Sequence, residues 1–342
     1  MITDAIAELT LGQDLTEQEA HEAMMEVMGG EATPAQIAGF LVALRMKGET
    51  PEEITGCARA MRAHVTPVEV DRADLLDVVG TGGDGAHTFN ISTTSALVAT
   101  AAGATVAKHG NRAMSSKTGT ADVLEQLGVR LDLTPAEVAE CIEAVGFGFM
   151  FAQVHHPAMR HAAPVRRELG VRTVFNVLGP LTNPAGARRA LIGVYADSLV
   201  EPIARVLAAL GTDHAFVVHG SGGMDEINPV GPAVVAEVRG DHVEVREMEP
   251  RDLGIERVAP EDLRGGDAAH NAHLLRAVLA GEAGPRRETV VLNAGFALVA
   301  AGVAGDVPEG IARAREALDS GAAAAKLDGL VEFTQTRGAA HP

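Results

Sequence analysis

The sequence predicts an α/β protein in two parts: a small N-terminal all-helical domain over residues 1–66 and a large domain over residues 74–342, built on a mostly parallel sheet covered by helices. Three observations carry this. The first 65 residues hold three helix-start signals and no strand pattern. From Leu75 onward, short apolar runs alternate with helical patterns, as strands alternate with crossover helices in a parallel sheet. Between the apolar run Leu75–Val79 and the apolar segment Ala96–Ala102 lies GTGGDGAHTFNISTTS, a strand, a glycine turn and a helix start in succession.

Taken in order, Thr16 with Glu19, Thr33-Pro34 with Gln36, and Thr50-Pro51 with Glu53 each place a hydroxyl at a helix N-cap and a Glu or Gln three positions later. Gly29-Gly30 and Gly48 stop the first two helices, and apolar positions such as Ile37, Phe40, Leu41 and Leu44 give them a common buried face. A linker over 66–74 follows, with Pro67, Glu69, Asp71, Arg72 and Asp74. Strands are expected at 75–79, 104–107, 147–151, 190–195 and 214–219, with a hairpin across 234–245 that turns at Gly240-Asp241. Thr134-Pro135 with Glu137 starts one intervening helix and Ser198–Leu210 forms another. The C-terminal third is rich in alanine at helical spacing, over His270–Leu279, Glu288–Ala301 and Pro308–Leu318.

Composition narrows the function. The formal net charge of −18 opposes general binding to nucleic acid or to an anionic membrane, because a polyanion is repelled by the whole-molecule field. Any anionic substrate therefore needs a locally basic site. Cys57 and Cys141 make neither a disulfide framework nor a CxxC pair, which fits a reducing, cytoplasmic setting. The start, MITDAIAELT, is acidic and amphipathic, unlike a signal peptide, and the longest apolar stretches are broken by glycine or polar residues.

The glycine segment makes an anion site. Glycines 80, 82, 83 and 85 let the backbone turn tightly and approach a ligand, and the hydroxyl-rich helix start from Asn90 offers free N–H groups at the positive end of a helix dipole. Gly80, Gly82 and Gly85 also satisfy G-x-G-x-x-G, but the helix starts later than a dinucleotide fold requires, and the next strand ends at Lys108 where an acid should bind a ribose. A phosphate or diphosphate is the better ligand. Residues 85–121 contain no acid, where the chain's 46 acids in 342 residues would place roughly five, so KHGNRAMSSKTGT (108–120) lies on a positive surface. A plain solvated basic loop is the alternative.

Two further segments sit at strand ends. HHPAMRHAAPVRRELGVR (155–172) continues a second acid-free run, 144–167, and one of its arginines could grip a carboxylate through its planar fork; His155-His156 lacks metal-ligand spacing and reads as structural. HGSGGMDEINP (219–229) ends a strand in a glycine turn bearing Asp225-Glu226, an acidic pair suited to Mg²⁺ beside a phosphate.

In this order, GTGGD with TFNISTTS, KHGNRAMSSKTGTADVLEQLG, HHPAMRHAAPVRRELGVRTVFNVLGPLTNPA and GGMDEI resemble the anthranilate phosphoribosyltransferases of tryptophan biosynthesis, over essentially the whole chain. The resemblance implies transfer of a phosphoribosyl group from phosphoribosyl diphosphate to the amine of anthranilate, with Mg²⁺ (two ions beside the diphosphate), in a cytoplasmic homodimer, and a return of residues 160–185 to the helical domain. It implies phosphoribosyl diphosphate contacts at Gly80, Gly83, Asp84, Thr88, Asn90, Ile91, Ser92, Thr93, Lys108, His109, Gly110, Asn111, Arg112, Ala113, Met114, Ser115, Ser116 and Thr120. It implies metal ligands at Ser92, Asp225 and Glu226, and anthranilate contacts at Gly80, Asn111 and Arg166, with Arg166 on the carboxylate. No nucleophile or base is implied. One departure stands out: the family usually carries FAP before the His-Pro pair, and this chain has Phe151-Ala152-Gln153, on the route by which the acceptor enters. A pyrimidine nucleoside phosphorylase of related fold and a non-catalytic nucleic-acid-binding relative are the alternatives; the intact HGNR and Asp225-Glu226 weigh against the first, the charge of −18 against the second.

Overall fold

The computed structural model describes residues 1–112 and 118–337. Four helices come first: α1 (Ile2–Thr10), α2 (Glu17–Gly29), α3 (Pro34–Lys47) and α4 (Pro51–Ala63). All three anticipated capping boxes form; Thr16, Thr33 and Thr50 each accept the backbone N–H three positions on, while Glu19, Gln36 and Glu53 bond back to the cap. Glu53 has a second task. Fully buried, it also accepts the Leu15 N–H at 2.9 Å and pairs with Lys47 at 3.0 Å, so one carboxylate pins a helix start and the preceding loop. Its buried charge is satisfied by partners on every side.

Then follow β1 (Leu75–Gly80), α5 (Ile91–Ala101), β2 (Thr105–Gly110), α6 (Thr120–Gln126), α7 (Pro135–Val145), β3 (Phe147–Phe151), α8 (Ala152–His155), α9 (Ala163–Leu169), α10 (Phe175–Leu178), β4 (Arg189–Gly193), α11 (Val200–Ala209), β5 (His214–His219), β6 (Ala233–Arg239), β7 (His242–Met248), α12 (Ala268–Leu279), α13 (Pro285–Ala300), α14 (Val307–Asp319) and α15 (Ala322–Arg337). The strands form one sheet in the order β3-β2-β1-β4-β5-β6-β7, parallel from β3 to β5 and antiparallel over the β6–β7 hairpin. The hairpin turns at Gly240, whose φ of 60° is the left-handed conformation that a tight turn needs.

The parallel strands are buried on both faces, and successive residues point to opposite sides, which separates the core into layers. Leu76, Val78, Val106, Leu191, Phe216 and Val218 face α5 and the C-terminal helices, while Ile192, Val194, Ala215 and Val217 face α11 and the N-terminal bundle. Ala158, Ala162, Val165, Val174 and Phe175 belong to the same apolar cluster as the bundle residues Phe40, Leu41 and Leu44. The segment between β3 and β4 thus bridges the bundle and the sheet.

The expected strand at 104–107 is longer than anticipated. It runs to Gly110 because Lys108 and His109, which read as loop residues, pair in register with Phe149 and Met150 of β3. The hydroxyl cap expected on α5 does not form: its N-cap is Asn90, whose side chain makes no capping bond and instead accepts from Asn271 Nδ2 at 3.1 Å. The anticipated N-cap residues lie one turn inside, and Thr94 bonds back to the Asn90 carbonyl.

The bundle has one contact where nothing larger than glycine fits. A Cβ on Gly56 of α4 would stand 2.2 Å from the Glu17 carbonyl oxygen and 2.8 Å from the His21 nitrogen of α2. Backbone cannot yield as a flexible side chain does, so Gly56→Ala is expected to cost about 1–3 kcal/mol despite alanine's better helix propensity. A thermal melt reads this as a lower Tm; an unchanged or higher Tm would show that α2 and α4 slide apart freely.

Candidate active site

The sheet's strand order reverses between β1 and β4, and there the carboxyl ends of parallel strands open a crevice. Gly80 and Gly193 end these two strands opposite one another. A Cβ on Gly80 would lie 2.3 Å from Asp225 Oδ2, and one on Gly193 only 1.4 Å from the Asp225 carbonyl oxygen. Two glycines in register therefore make the space that Asp225 occupies. Seated there, its carboxylate accepts the Gly82 N–H at 2.7 Å, which ties the metal-type loop after β5 to the phosphate-type loop after β1.

Asp84, Asp225 and Glu226 bring one carboxylate oxygen each to within 4.8 Å of one another. Asp225 and Glu226 are held above the ordinary carboxylate range, first by burial and then by like charge: Asp84 acts on Asp225, and both aspartates act on Glu226. Glu226 Oε2 is shielded from solvent and has no hydrogen-bond partner among the described residues. A buried oxygen with unused lone pairs, in a cluster of like charges, is what a hard divalent cation satisfies. The residues fit Mg²⁺. Asp84, expected on the diphosphate, thus joins the acidic pair.

Lys108 does not project into solvent. It is 1% exposed, its Nζ donates to the Val78 carbonyl and to Ser92 Oγ at 3.5 Å, and burial brings its pKa down to about 8 against the opposing pull of Asp77. Asp77, in the middle of β1, accepts from Asn183 Nδ2 at 2.7 Å and from the His109 N–H at 3.2 Å, and burial pushes it up to about 6. Asp77 and Asn183 are unassigned by sequence reasoning; an acid inside LLDVV is the one signal in the sequence that could flag the first.

The remaining expected donor contacts divide. Thr93 Oγ1 and Thr120 Oγ1 bond at 3.3 Å, joining the starts of α5 and α6. Thr88 bridges to Arg264. Ile91 and Thr93 are fully buried. Gly110 is required by Phe149, whose ring would lie 2.8 Å from a Cβ there. Arg112 is already engaged, with Asp122 at 2.8 Å and Glu125 at 3.0 Å just beyond the acid-free run, and these acids, Glu125 first, raise its pKa further. Ala113, Met114, Ser115 and Ser116 lie outside the described residues.

His109 turns to the other face of the sheet. Its Nδ1 meets the Gly179 carbonyl at 3.1 Å, an acceptor only, so Nδ1 carries the proton and Nε2 is bare. Its ring lies 4.9 Å from that of His156; burial, then His156, pulls His109 down to about 3, and burial, then His155, pulls His156 down to about 4, so both rings are neutral near pH 7. Asn111 is exposed and accepts the Arg112 N–H at 2.8 Å. Arg166 of α9 lies with its guanidinium 5.0 Å from the Phe175 ring, half-buried, and among the described residues no carboxylate pairs with it. Arg167 is exposed. Gln153 is exposed on α8. Arg172 and Tyr195, unassigned by sequence reasoning, stack at 4.1 Å beside the glycine loop.

Comparison with known proteins agrees with this geometry. Residues 3–65 match the helical bundle domain of the glycosyl transferase family, and residues 72–324 match its a/b domain. An anthranilate phosphoribosyltransferase of Thermomicrobium roseum is 58% identical over 334 residues, 96% of each chain. That of Geobacter sulfurreducens is 54% identical over 348 residues, 98% of this chain and 99% of the other. The crystal structure of the Thermus thermophilus enzyme superposes with a TM-score of 0.92 at 50% identity, covering 97% of this chain and 99% of that one. The Saccharomyces cerevisiae enzyme in complex with PRPP and Mg gives a TM-score of 0.89 at 28% identity, covering 98% of both. With matches at this identity running through both its bundle and its sheet, the chain belongs to the anthranilate phosphoribosyltransferase family of glycosyl transferases.

Proposed function

We propose that the protein transfers the phosphoribosyl group of 5-phosphoribosyl 1-diphosphate to the amine of anthranilate, giving N-(5-phosphoribosyl)anthranilate and diphosphate. The observation that carries this is the convergence of Asp84, Asp225 and Glu226 on the glycine loop, with a buried and unbonded Glu226 oxygen. Such a cluster is useless to a bare anion and suits an anion that arrives with cations. The yeast relative with PRPP and Mg supports the donor, and a second yeast structure with 4-fluoroanthranilate supports the acceptor.

In this reading Ser92, Asp225 and Glu226, joined by Asp84, would hold magnesium, two ions with the diphosphate. Mg²⁺ supplies charge neutralisation of the departing diphosphate. The chain's own groups do the rest. Breaking the bond at the anomeric carbon leaves positive character on the sugar and adds negative charge to the leaving group, so the N–H groups of Gly83 and of the α5 start would stabilise the anion without reorganising. Lys108, buried beneath Ser92, adds a fixed positive charge from below. Asn111 and Arg166 would set the acceptor, Arg166 through its carboxylate, with the amine against the anomeric carbon; positioning of this kind removes much of the barrier. No side chain is needed as nucleophile.

The same reading includes the division into domains at 1–66 and 74–342, with 160–185 completing the first, supported by the shared apolar cluster of Val165, Phe175 and the bundle. It includes a homodimer, on the resemblance of the motifs, and a cytoplasmic location, supported by two buried free thiols, Cys57 and Cys141. No helix among the described residues is long and apolar enough to cross a membrane.

The direct test mixes protein, anthranilate, phosphoribosyl diphosphate and Mg²⁺ and follows loss of anthranilate fluorescence; no loss overturns the assignment. Asp225→Asn with Glu226→Gln should preserve folding, since neutral isosteres relieve repulsion, and should depress turnover severely. Full activity of that double variant in chelator would remove the acidic pair from the mechanism.

A charge-assisted hydrogen bond is worth about 1.5–3 kcal/mol, so Arg166→Ala should raise the anthranilate KM by about 10- to 100-fold. The donor KM should move much less, and Arg166→Lys should recover part, because an ammonium keeps the charge without the fork. Equal weakening of both substrates, or a larger effect from Arg167→Ala, would shift the acceptor site elsewhere.

The histidine pair makes stability pH-dependent with a definite sign. Both folded-state pKa values, about 3 for His109 and about 4 for His156, lie below the unfolded value of about 6.5. The unfolded chain therefore binds more protons between them, and stability present above pH 6.5 is lost as pH falls toward 4. His156→Gln should show a flatter Tm–pH profile over that window than the parent; parallel profiles would mean that the rings are solvated.

A further inference from the structure

The glycine loop has little stiffness of its own. Gly82, Gly83 and Gly85 have φ of 63°, 72° and 75°, and glycine visits many other conformations at similar energy. What aims its N–H groups must come from outside. Asp225 holds the Gly82 N–H, and the Thr81 N–H donates to the Gly193 carbonyl at 2.9 Å. Beyond Gly82 a further anchor comes from a distant part of the chain: Arg172 Nη2 donates to the Gly83 carbonyl.

Arg172 is exposed, and an exposed arginine on a loop explores many rotamers. Here its guanidinium is spread over the Tyr195 ring at 4.1 Å. Tyr195 follows β4 and is itself tied to the loop's first turn, where its N–H donates to Thr81 Oγ1 at 3.1 Å. Arg45 and Glu49, at the corner between α3 and α4, act electrostatically on its hydroxyl, so the ring stands where bundle, β4 and loop meet. Loop, ring and guanidinium close a small circuit.

Resting on the function proposed above, we infer that Arg172 and Tyr195 are positioning residues for the donor: the Tyr195 ring fixes Arg172, and Arg172, by holding the Gly83 carbonyl, turns the planar Gly83–Asp84 peptide so that the Asp84 N–H points the opposite way, toward the diphosphate. In a trans peptide the C=O and N–H are antiparallel, so fixing one aims the other. The Asp84 carboxylate, in the acidic cluster, is set by the same peptide. Arg172 also lies on the segment that carries Arg166, so donor loop and acceptor arginine share one support.

The chain offers a clean reporter, because it has no Trp and Tyr195 is its one Tyr. In the intact protein with Mg²⁺, phosphoribosyl diphosphate should change the tyrosine emission. Arg172→Ala should abolish that response and weaken donor binding about 10-fold by calorimetry, the scale of one lost charged hydrogen bond, with the anthranilate KM much less affected. Arg172→Lys should recover part of the affinity. Tyr195→Phe, which keeps the ring face, should bind donor like the parent, whereas Tyr195→Leu should behave like Arg172→Ala. Parent-like donor affinity in Arg172→Ala, or Tyr195→Phe as damaging as Tyr195→Leu, would overturn the inference; the Tyr195 pair and Arg172→Lys decide it if Arg172→Ala does not fold. A parent protein that does not turn over anthranilate would instead overturn the functional reading, so the two failures are separable.

Discussion

The structure depends on keeping carboxylates buried at the end of the sheet. Asp225 sits between two strand ends that are glycine for its sake, and Glu226 and Asp84 crowd against it. Left alone, three acids this close repel one another and lose hydration, and each effect disfavours the compact state. The surrounding scaffold tolerates this because β1 and β4 are held on both sides by parallel neighbours and packed on both faces. Folding free energy from the core is thereby stored as an unmet demand for positive charge.

Lys108, Asp77, Asn183 and His109 form a second buried polar system directly beneath the first. Asp77 partly offsets the cost of burying Lys108, and Asn183, from the segment before β4, ties it to β1 and to the Ala107 carbonyl at 2.8 Å. The two systems meet at Ser92 and through the pull between Lys108 and Glu226. Because β2 is a strand through Gly110, its alternating side chains send Lys108 to the α5 face and His109 to the opposite one. A one-residue shift in register would put the neutral ring on the face where the cation stands and the cation where the ring stands.

What was legible in the sequence was local. Thr16 and Glu19 are three residues apart and settle their cap between themselves; the Gly240 turn needs only its own backbone. The strand ends bearing Gly80 and Asp225 stood out because glycine and paired acids there have few other uses. What was not legible depended on distant partners. Asn90 looked like part of a self-capped helix start, but its side chain answers to Asn271. Arg112 read as part of a positive surface within an acid-free run, yet Asp122 and Glu125 lie just past the run's end, one helical turn from each other and within reach of the guanidinium. Arg172 and Tyr195 carry no motif, and their meaning comes from the stack alone.

The sealed position of Lys108 has a practical side. The chain has four lysines, and Lys108 is enclosed beneath Val78 and Ser92, whereas the positive charge elsewhere is carried largely by arginine, which amine reagents ignore. Coupling chemistry aimed at amines, whether for a surface support or a dye, will therefore meet very few targets on this protein, and the one enclosed beneath Val78 and Ser92 is reached only if the sheet opens. Covalent attachment through lysine should accordingly be sparing of the floor of the active site, and any labelling of Lys108 becomes a measure of how often that floor is exposed.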